Sequence, residues 1–212
     1  ILALHEVGSN NPDGVEIKDK KDAKGVPLDG IPFHPYYTVK DMFGASVFLF
    51  VFFAIVFFAP EVGGYFLEHN NFVPADPLKT PEHIAPVWYF TPYYSILRAV
   101  PPMFESQFPG VAAMGASTLI FFLMPWLDRS PVKSIRYRGL EYKLWLAVFV
   151  VSFLVLGWLG TKPTDFLGKI GGIETATLLA RFFTVLYFAF FVLMPWYSAR
   201  DKTKPVPERV TG

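Results

Sequence analysis

Few side chains in this 212-residue sequence can do chemistry, and none of them is a cysteine. Disulfides, thiolate metal sites and thiol nucleophiles are therefore excluded within the chain. Four histidines remain, His5, His34, His69 and His83. None lies in the middle of a long apolar run, and no two share a spacing that would grip a metal or haem from one helix. The residues therefore predict no metal site and no haem axial pair. His34, within Ile31-Pro32-Phe33-His34-Pro35-Tyr36-Tyr37, reads as a turn residue. His69, within Glu68-His69-Asn70-Asn71, reads as solvated loop. His5 carries an imidazole, and Asp41 sits beside Lys40 at the edge of an apolar run; an imidazole and a carboxylate so placed could deliver protons to a bound acceptor. From spacing alone, Lys40 and Asp41 read better as a charged helix start, with Asp41 near the N-terminal dipole.

Two arginines stand out. Arg181 lies in an apolar run, where a charge is expected to have a partner. Glu174 is seven residues away, too far for a direct helical pair, so Arg181 reads as a structural or lipid contact. Arg98 closes an aromatic stretch, where it could pair with a carboxylate, pair with carbonyls, or snorkel to the interface.

The elements that must position these groups are apolar. Hydrophobic residues make up 52% of the chain and aromatics 18%, with 23 phenylalanines, a composition that suits a membrane protein. A spanning helix needs about 20 mostly apolar residues. Runs at 42–59, 108–127, 144–161 and 173–199 meet that length. The expected fold class is an all-α membrane protein of four transmembrane helices, with a long amphipathic, proline-broken loop between helices one and two. The divisions are 1–41 (a charged excursion before the first span), 42–199 (one transmembrane domain including the interfacial loop 60–107) and 200–212 (the tail). Within that loop, Ile84 to Leu97 is uncharged, too short to span and cut by Pro86 and Pro92. Trp88, Tyr89, Tyr93 and Tyr94 suit an interfacial depth.

Four spans put the segment before span one, the loop between spans two and three, and the tail on one side. Fourteen of the 19 Lys and Arg residues fall there, four fall opposite, and Arg181 lies within the last span. The positive-inside rule predicts both termini in the cytoplasm. A net charge of +1 gives no support to a nucleic-acid partner. The opening Ile1-Leu2-Ala3-Leu4-His5 has no initiator Met and no basic n-region, and it reads as the last turn of a helix in a longer or processed chain.

Several blocks resemble cytochrome b, the membrane subunit of respiratory cytochrome bc complexes. Pro86-Val87-Trp88-Tyr89-Phe90-Thr91-Pro92-Tyr93-Tyr94-Ser95-Ile96-Leu97-Arg98 is similar to the family's quinol-site segment, which usually reads Pro-Glu-Trp-Tyr and ends in Ile-Leu-Arg. Leu4-His5-Glu6-Val7-Gly8-Ser9-Asn10-Asn11-Pro12 and His34-Pro35-Tyr36-Tyr37-Thr38-Val39-Lys40-Asp41 resemble the blocks bordering its quinone-reduction site. Met124-Pro125-Trp126-Leu127-Asp128-Arg129-Ser130-Pro131 and Phe191-Val192-Leu193-Met194-Pro195-Trp196 extend the likeness to about residue 200. Four spans resemble the respiratory bc type, whereas the photosynthetic counterpart has three.

The resemblance implies the C-terminal half of a bacterial cytochrome b, part of a ubiquinol–cytochrome c reductase and inert alone. It implies a quinone-reduction site of His5, Ser9, Lys40 and Asp41, and a quinol-oxidation site of Pro86, Val87, Tyr89, Phe90 and Tyr94. Ubiquinone or ubiquinol is the implied ligand, with two b haems ligated by an N-terminal half that is not in this sequence. The implied partners are that half, a Rieske iron–sulfur protein, a cytochrome c-type subunit and membrane lipids, in a dimeric complex of the bacterial inner membrane. Val87 departs from the family's glutamate and can neither accept a proton nor donate a hydrogen bond. Glu82 and His83 are the candidates for a replacement proton route. The alternatives are a non-redox helical scaffold or transporter segment, and a subunit that has lost quinol oxidation.

Overall fold

The computed structural model describes residues 1–7, 11–15, 21–30, 32–64, 66–67, 72–79, 84–103 and 105–209. Ser9, His69, Glu82 and His83 lie outside the described residues. Among the described residues the fold is helical, with four helices long and apolar enough to cross a membrane. A short helix α1 (Leu2–Val7) precedes α2 (Tyr36–Phe58), the first of these. The α2 helix begins six residues before the apolar run expected at 42, because Pro35 supplies its N-cap and the Pro35 carbonyl takes the Val39 N–H at 2.9 Å. After the broken loop comes α3 (Thr91–Ala99).

The second span joins α4 (Phe108–Leu119), a 3₁₀ turn (Ile120–Leu123) and α5 (Met124–Leu127). Pro125 has no N–H to continue the α-helical ladder, so the backbone tightens just before it. The third span is α6 (Leu140–Gly160). The fourth run does not start as a helix at 173. Ile173–Glu174 forms strand β2, paired antiparallel with β1 (Lys169–Ile170). Gly171 and Gly172 turn the hairpin at φ 59° and 81°, angles glycine adopts without a Cβ penalty. The α7 helix (Thr175–Val192) follows, then breaks at Leu193 into α8 (Met194–Arg200), where Pro195 interrupts the ladder. Met-Pro-Trp thus ends the second and fourth spans with the same device.

The core lies between α3, α4, α6, α7 and α8. Ile96, Leu156, Leu159, Tyr187, Phe191, Met194 and Tyr197 are all buried there. The Phe149 ring sits 4.7 Å from Phe190, 5.1 Å from Tyr187 and 5.4 Å from Phe191. The Tyr187 hydroxyl donates to the Ser117 carbonyl at 2.8 Å and ties α7 to α4. Helix α2 does not join this core: none of its residues is buried. Its phenylalanines and valines run all round it, so no single face directs it onto the other spans.

Candidate functional site

The proline-broken segment folds as a turn leading into α3. The Val87 carbonyl accepts the Phe90 N–H at 2.8 Å, and the Thr91 hydroxyl reaches back to the Trp88 carbonyl at 2.7 Å. Pro92 stands in the first turn of α3, where its missing N–H would have had no helical partner. Thr91, Pro92, Ser95, Ile96 and Ala99 form the buried face of the helix.

That face is bonded to the end of α6. The Ser95 hydroxyl donates to the Leu156 carbonyl at 2.6 Å. Arg98 donates to the Leu159 carbonyl at 2.7 Å and the Lys162 carbonyl at 3.0 Å. The last carbonyls of a helix carry its negative dipole end, so a guanidinium is favourably placed there, adding to the Lys162 N–H that the Leu159 carbonyl accepts at 3.3 Å. Carbonyl pairing is thus the role Arg98 takes, and its charge also lies 4.8 Å from the Tyr94 ring centroid.

The end of α3 is held in turn. Gln107 donates to the Leu97 and Val100 carbonyls at 3.1 and 3.3 Å, and Arg181 Nε donates to the Ala99 carbonyl at 2.9 Å. The charge in the fourth span therefore has a structural contact, as its position predicts. Two glycines permit this packing. A Cβ on Gly110 would fall 2.5 Å from the Leu97 oxygen, and one on Gly160 would overlap the Thr91 carbonyl.

The opposite face of the segment is open. Tyr89 is 54% exposed, Phe90 50% and Val87 37%, while Pro86 and Tyr94 are half-buried. Neighbouring rings brace one another, with Trp88–Tyr89 centroids 5.6 Å apart and Tyr89–Phe90 5.4 Å. An aromatic surface with a fixed back and a free front can stack on a planar ring.

The second set of candidates is less assembled. His5 on α1 is exposed, and Lys40 and Asp41 are exposed on α2. Lys40 Nζ lies 5.4 Å from the Tyr37 ring centroid. Among the described residues, no hydrogen bond or ion pair joins His5 to Lys40 or Asp41. Asp41 falls in the second turn of α2, outside the first turn where the dipole would favour it, so the helix-start reading does not account for it.

Elsewhere, three segments distant in sequence meet. Asp13 accepts from Arg136 and from the Tyr137 hydroxyl, each at 3.0 Å, and the Ser134 hydroxyl donates to the Pro12 carbonyl. Partial burial first, then the Asp13 hydrogen bond and charge, raise the Tyr137 phenol above its ordinary value and outweigh Arg136. Arg138, nearly buried, pairs with Asp128 at 2.6 Å and lies 4.1 Å from the Tyr142 ring centroid. Asp201 accepts the Gly139 N–H at 2.6 Å, Ser198 accepts the Arg129 N–H at 2.9 Å, and Tyr137 O accepts the Lys204 N–H at 2.7 Å. Arg209 pairs with Asp29 at 3.1 Å. The early segment, the loop after α5 and the tail therefore share one face.

The sequence pointed to Arg98, Arg181 and the aromatic run. It did not single out Ser95, Gln107, Gly110, Gly160, Ser198 or Asp201, which hold that run and the opposite face in place. For Ser95, Gly110, Gly160 and Ser198 the available signal was a small residue inside an otherwise apolar run; Gln107 and Asp201 lie outside those runs and carried no such signal. As to metals, no group of three His, Asp or Glu among the described residues could hold an ion. The described histidines, His5 and His34, are exposed and outside the long helices, so they do not fit as axial haem ligands.

Residues 74–188 match the family described as cytochrome b(C-terminal)/b6/petD, and the chain belongs to that family. It is 61% identical to cytochrome b of Allochromatium vinosum over 100% of its own length and 50% of that protein. It is 44% identical to cytochrome b of Rhodospirillum rubrum, covering 99% of this chain and 46% of that one. Among solved structures, a chain of a hyperthermophilic respiratory Complex III superposes with a TM-score of 0.75 at 38% identity, covering 93% of this chain and 45% of the other. The chain thus spans about half the length of the curated relatives it matches.

Proposed function

We propose that this chain forms walls of two quinone pockets on opposite membrane faces of a bacterial ubiquinol–cytochrome c reductase. At one face, Pro86, Val87, Tyr89, Phe90 and Tyr94 line the quinol-oxidation pocket. At the other, His5, Ser9, Lys40 and Asp41 border the quinone-reduction pocket. The observation that carries this reading is the build of α3. Its inner face is bonded to α6, α7 and Gln107, while its leading turn presents Tyr89 and Phe90. Pre-organised rings of this kind position a flat head group without ordering themselves at the moment of binding.

The partners in this reading are the N-terminal half of cytochrome b with its b haems, a Rieske iron–sulfur protein, a cytochrome c-type subunit and lipid, in a dimer. The face bearing Lys40, Arg129 and Arg200 is cytoplasmic. This chain's part is to hold quinone and to place proton-accepting groups, and redox-active cofactors carry the electrons.

The deciding experiment is a reduced-minus-oxidised spectrum of the complex purified from native membranes, with quinol as reductant. Two b-haem signals, each sensitive to inhibitors of one quinone pocket, support the reading. A preparation without b haem removes it.

A further inference from the structure

A second polar feature lies within the apolar bundle, behind α3. A recess of about 310 Å³ is bounded by Ala99, Val100, Pro101, Arg181, Thr184 and Val185. Arg181 commits only its Nε, to the Ala99 carbonyl at 2.9 Å. Among the described residues, no hydrogen bond or ion pair engages its two terminal amino groups. Thr184 is 9% exposed, and its hydroxyl has no hydrogen-bond partner among the described residues. The two residues are three apart on α7 and share one face. A guanidinium without a counter-charge and a buried hydroxyl without a partner each carry an energetic cost that a bound acceptor would remove.

Depth and charge say which acceptor. Arg181 lies six residues into α7, roughly 9 Å along its axis, near the level at which arginine snorkels to headgroups. Four of the six lining residues are apolar, and Val185 continues into an outward stripe with Phe182 and Val192. A neutral carbonyl, such as a quinone offers, would leave the guanidinium charge uncompensated. A phosphodiester matches both the charge and the forked donor geometry.

We propose that this recess binds the phosphate of an anionic membrane phospholipid. The terminal amino groups of Arg181 and the Thr184 hydroxyl donate to phosphate oxygens, and an acyl chain runs along Phe182, Val185 and Val192. This site stands apart from the quinol reading. Through Arg181 and the Ala99 carbonyl, its occupancy also bears on the end of α3.

The test is retention of isotope-labelled phosphatidylglycerol by the intact complex after detergent delipidation and exchange, counted by native mass spectrometry. Thr184→Val removes a hydroxyl with no partner among the described residues, so the fold should stand. Arg181→Gln keeps an N–H donor for Ala99 but removes the charge. Wild type should retain one more lipid per copy of this chain, with affinity falling roughly fivefold in Thr184→Val and roughly tenfold or more in Arg181→Gln. Equal retention by wild type and both variants overturns the proposal. So does uptake of inorganic phosphate without phospholipid, or a co-purifying quinone whose loss tracks Arg181→Gln.

Discussion

The backbone of α6 at Gly160 closes on the carbonyl of Thr91 so tightly that any side chain at 160 would overlap that oxygen. One turn earlier, Gly157 faces Pro92 Cγ at 3.4 Å, an ordinary contact for a Cβ. Together the two positions set how near α3 can lie to α6. The Ser95 and Arg98 bonds to the Leu156 and Leu159 carbonyls depend on that distance. Close helix approach through small residues is the usual means of packing in membranes, where apolar contact alone gives little preference for protein over lipid.

Gly160→Ala should therefore displace α3, and Gly157→Ala should not. A displacement large enough to break the Ser95 and Arg98 bonds is expected to cost about 1–3 kcal/mol. Quinol oxidation should fall roughly tenfold or more, since small misplacements of binding groups have such effects. Thermal unfolding and quinol turnover of the two variant complexes, measured side by side, check the contrast. Equal behaviour of the two variants would remove Gly160 as the spacer.

Val87 concerns protons. Its side chain is 37% exposed on the open face, so a glutamate can be accommodated there without entering the core. If Glu82 or His83 carries the proton in its absence, Glu82→Gln with His83→Ala should slow quinol oxidation roughly a hundredfold, the lower range of general-base contributions. Adding Val87→Glu to that double variant should restore much of the rate. A pH–rate profile of quinol oxidation reads both effects. Unchanged turnover in the double variant would leave water as the carrier.

The helices were legible because length and absence of charge are enough to predict a span, and the described spans fall where those runs lie. The starts and stops were less legible. Tyr36 to Asp41 is too polar to look like membrane helix, yet Pro35 initiates α2 there. Ile173–Glu174 looked apolar enough to belong to the fourth span, but the Gly171-Gly172 turn draws it into a hairpin. The aromatic segment announced itself by composition and resemblance. Its anchoring did not, because Ser95 meets Leu156 across 61 residues and Arg181 meets Ala99 across 82. Such pairs follow from tertiary packing, to which periodicity is blind.

Asp201 holds the tail against the start of α6. One of its carboxylate oxygens accepts the Gly139 N–H, the other has no partner among the described residues, and the residue is 8% exposed. Asp201→Asn weakens a charge-assisted bond and should cost about 1–2 kcal/mol. Limited proteolysis should then cut within 200–209 faster than in wild type. A Cβ at Gly139 would collide with the same carboxylate, so Gly139→Ala should give the same pattern. Unaltered cleavage in both variants would show that the tail is held by other contacts.

The Tyr137–Asp13 bond should be sensitive to alkali. The phenol must be protonated to donate, and its value in the folded state is raised above 10.0. Whatever stability it contributes is whole below the unfolded value and is lost as pH rises through the raised one. Proteolysis of the 11–15 segment should accelerate above that pH in wild type. In Tyr137→Phe it should be faster at neutral pH and flat across the same range.

The proposed quinone-reduction face yields the most demanding prediction, because the described structure does not bring its candidates together. His5 is exposed on α1, and Lys40 and Asp41 are exposed on α2, a helix that buries none of its residues on this chain. A pocket there therefore needs a surface from outside the chain, and the N-terminal half of cytochrome b is the surface our functional reading supplies. Asp41→Asn keeps the shape but removes the carboxyl group that would pass the proton, so it should slow quinone reduction roughly a hundredfold while leaving quinone affinity within a few-fold. His5→Ala removes both a hydrogen bond and a proton donor and should lower affinity as well. Electron entry from quinol at the opposite face should be unaffected in both. Pre-steady-state b-haem reduction, followed with an inhibitor at one face and then at the other, separates these effects. If both variants slow haem reduction from the quinol-oxidation face instead, His5 and Asp41 have been assigned to the wrong pocket.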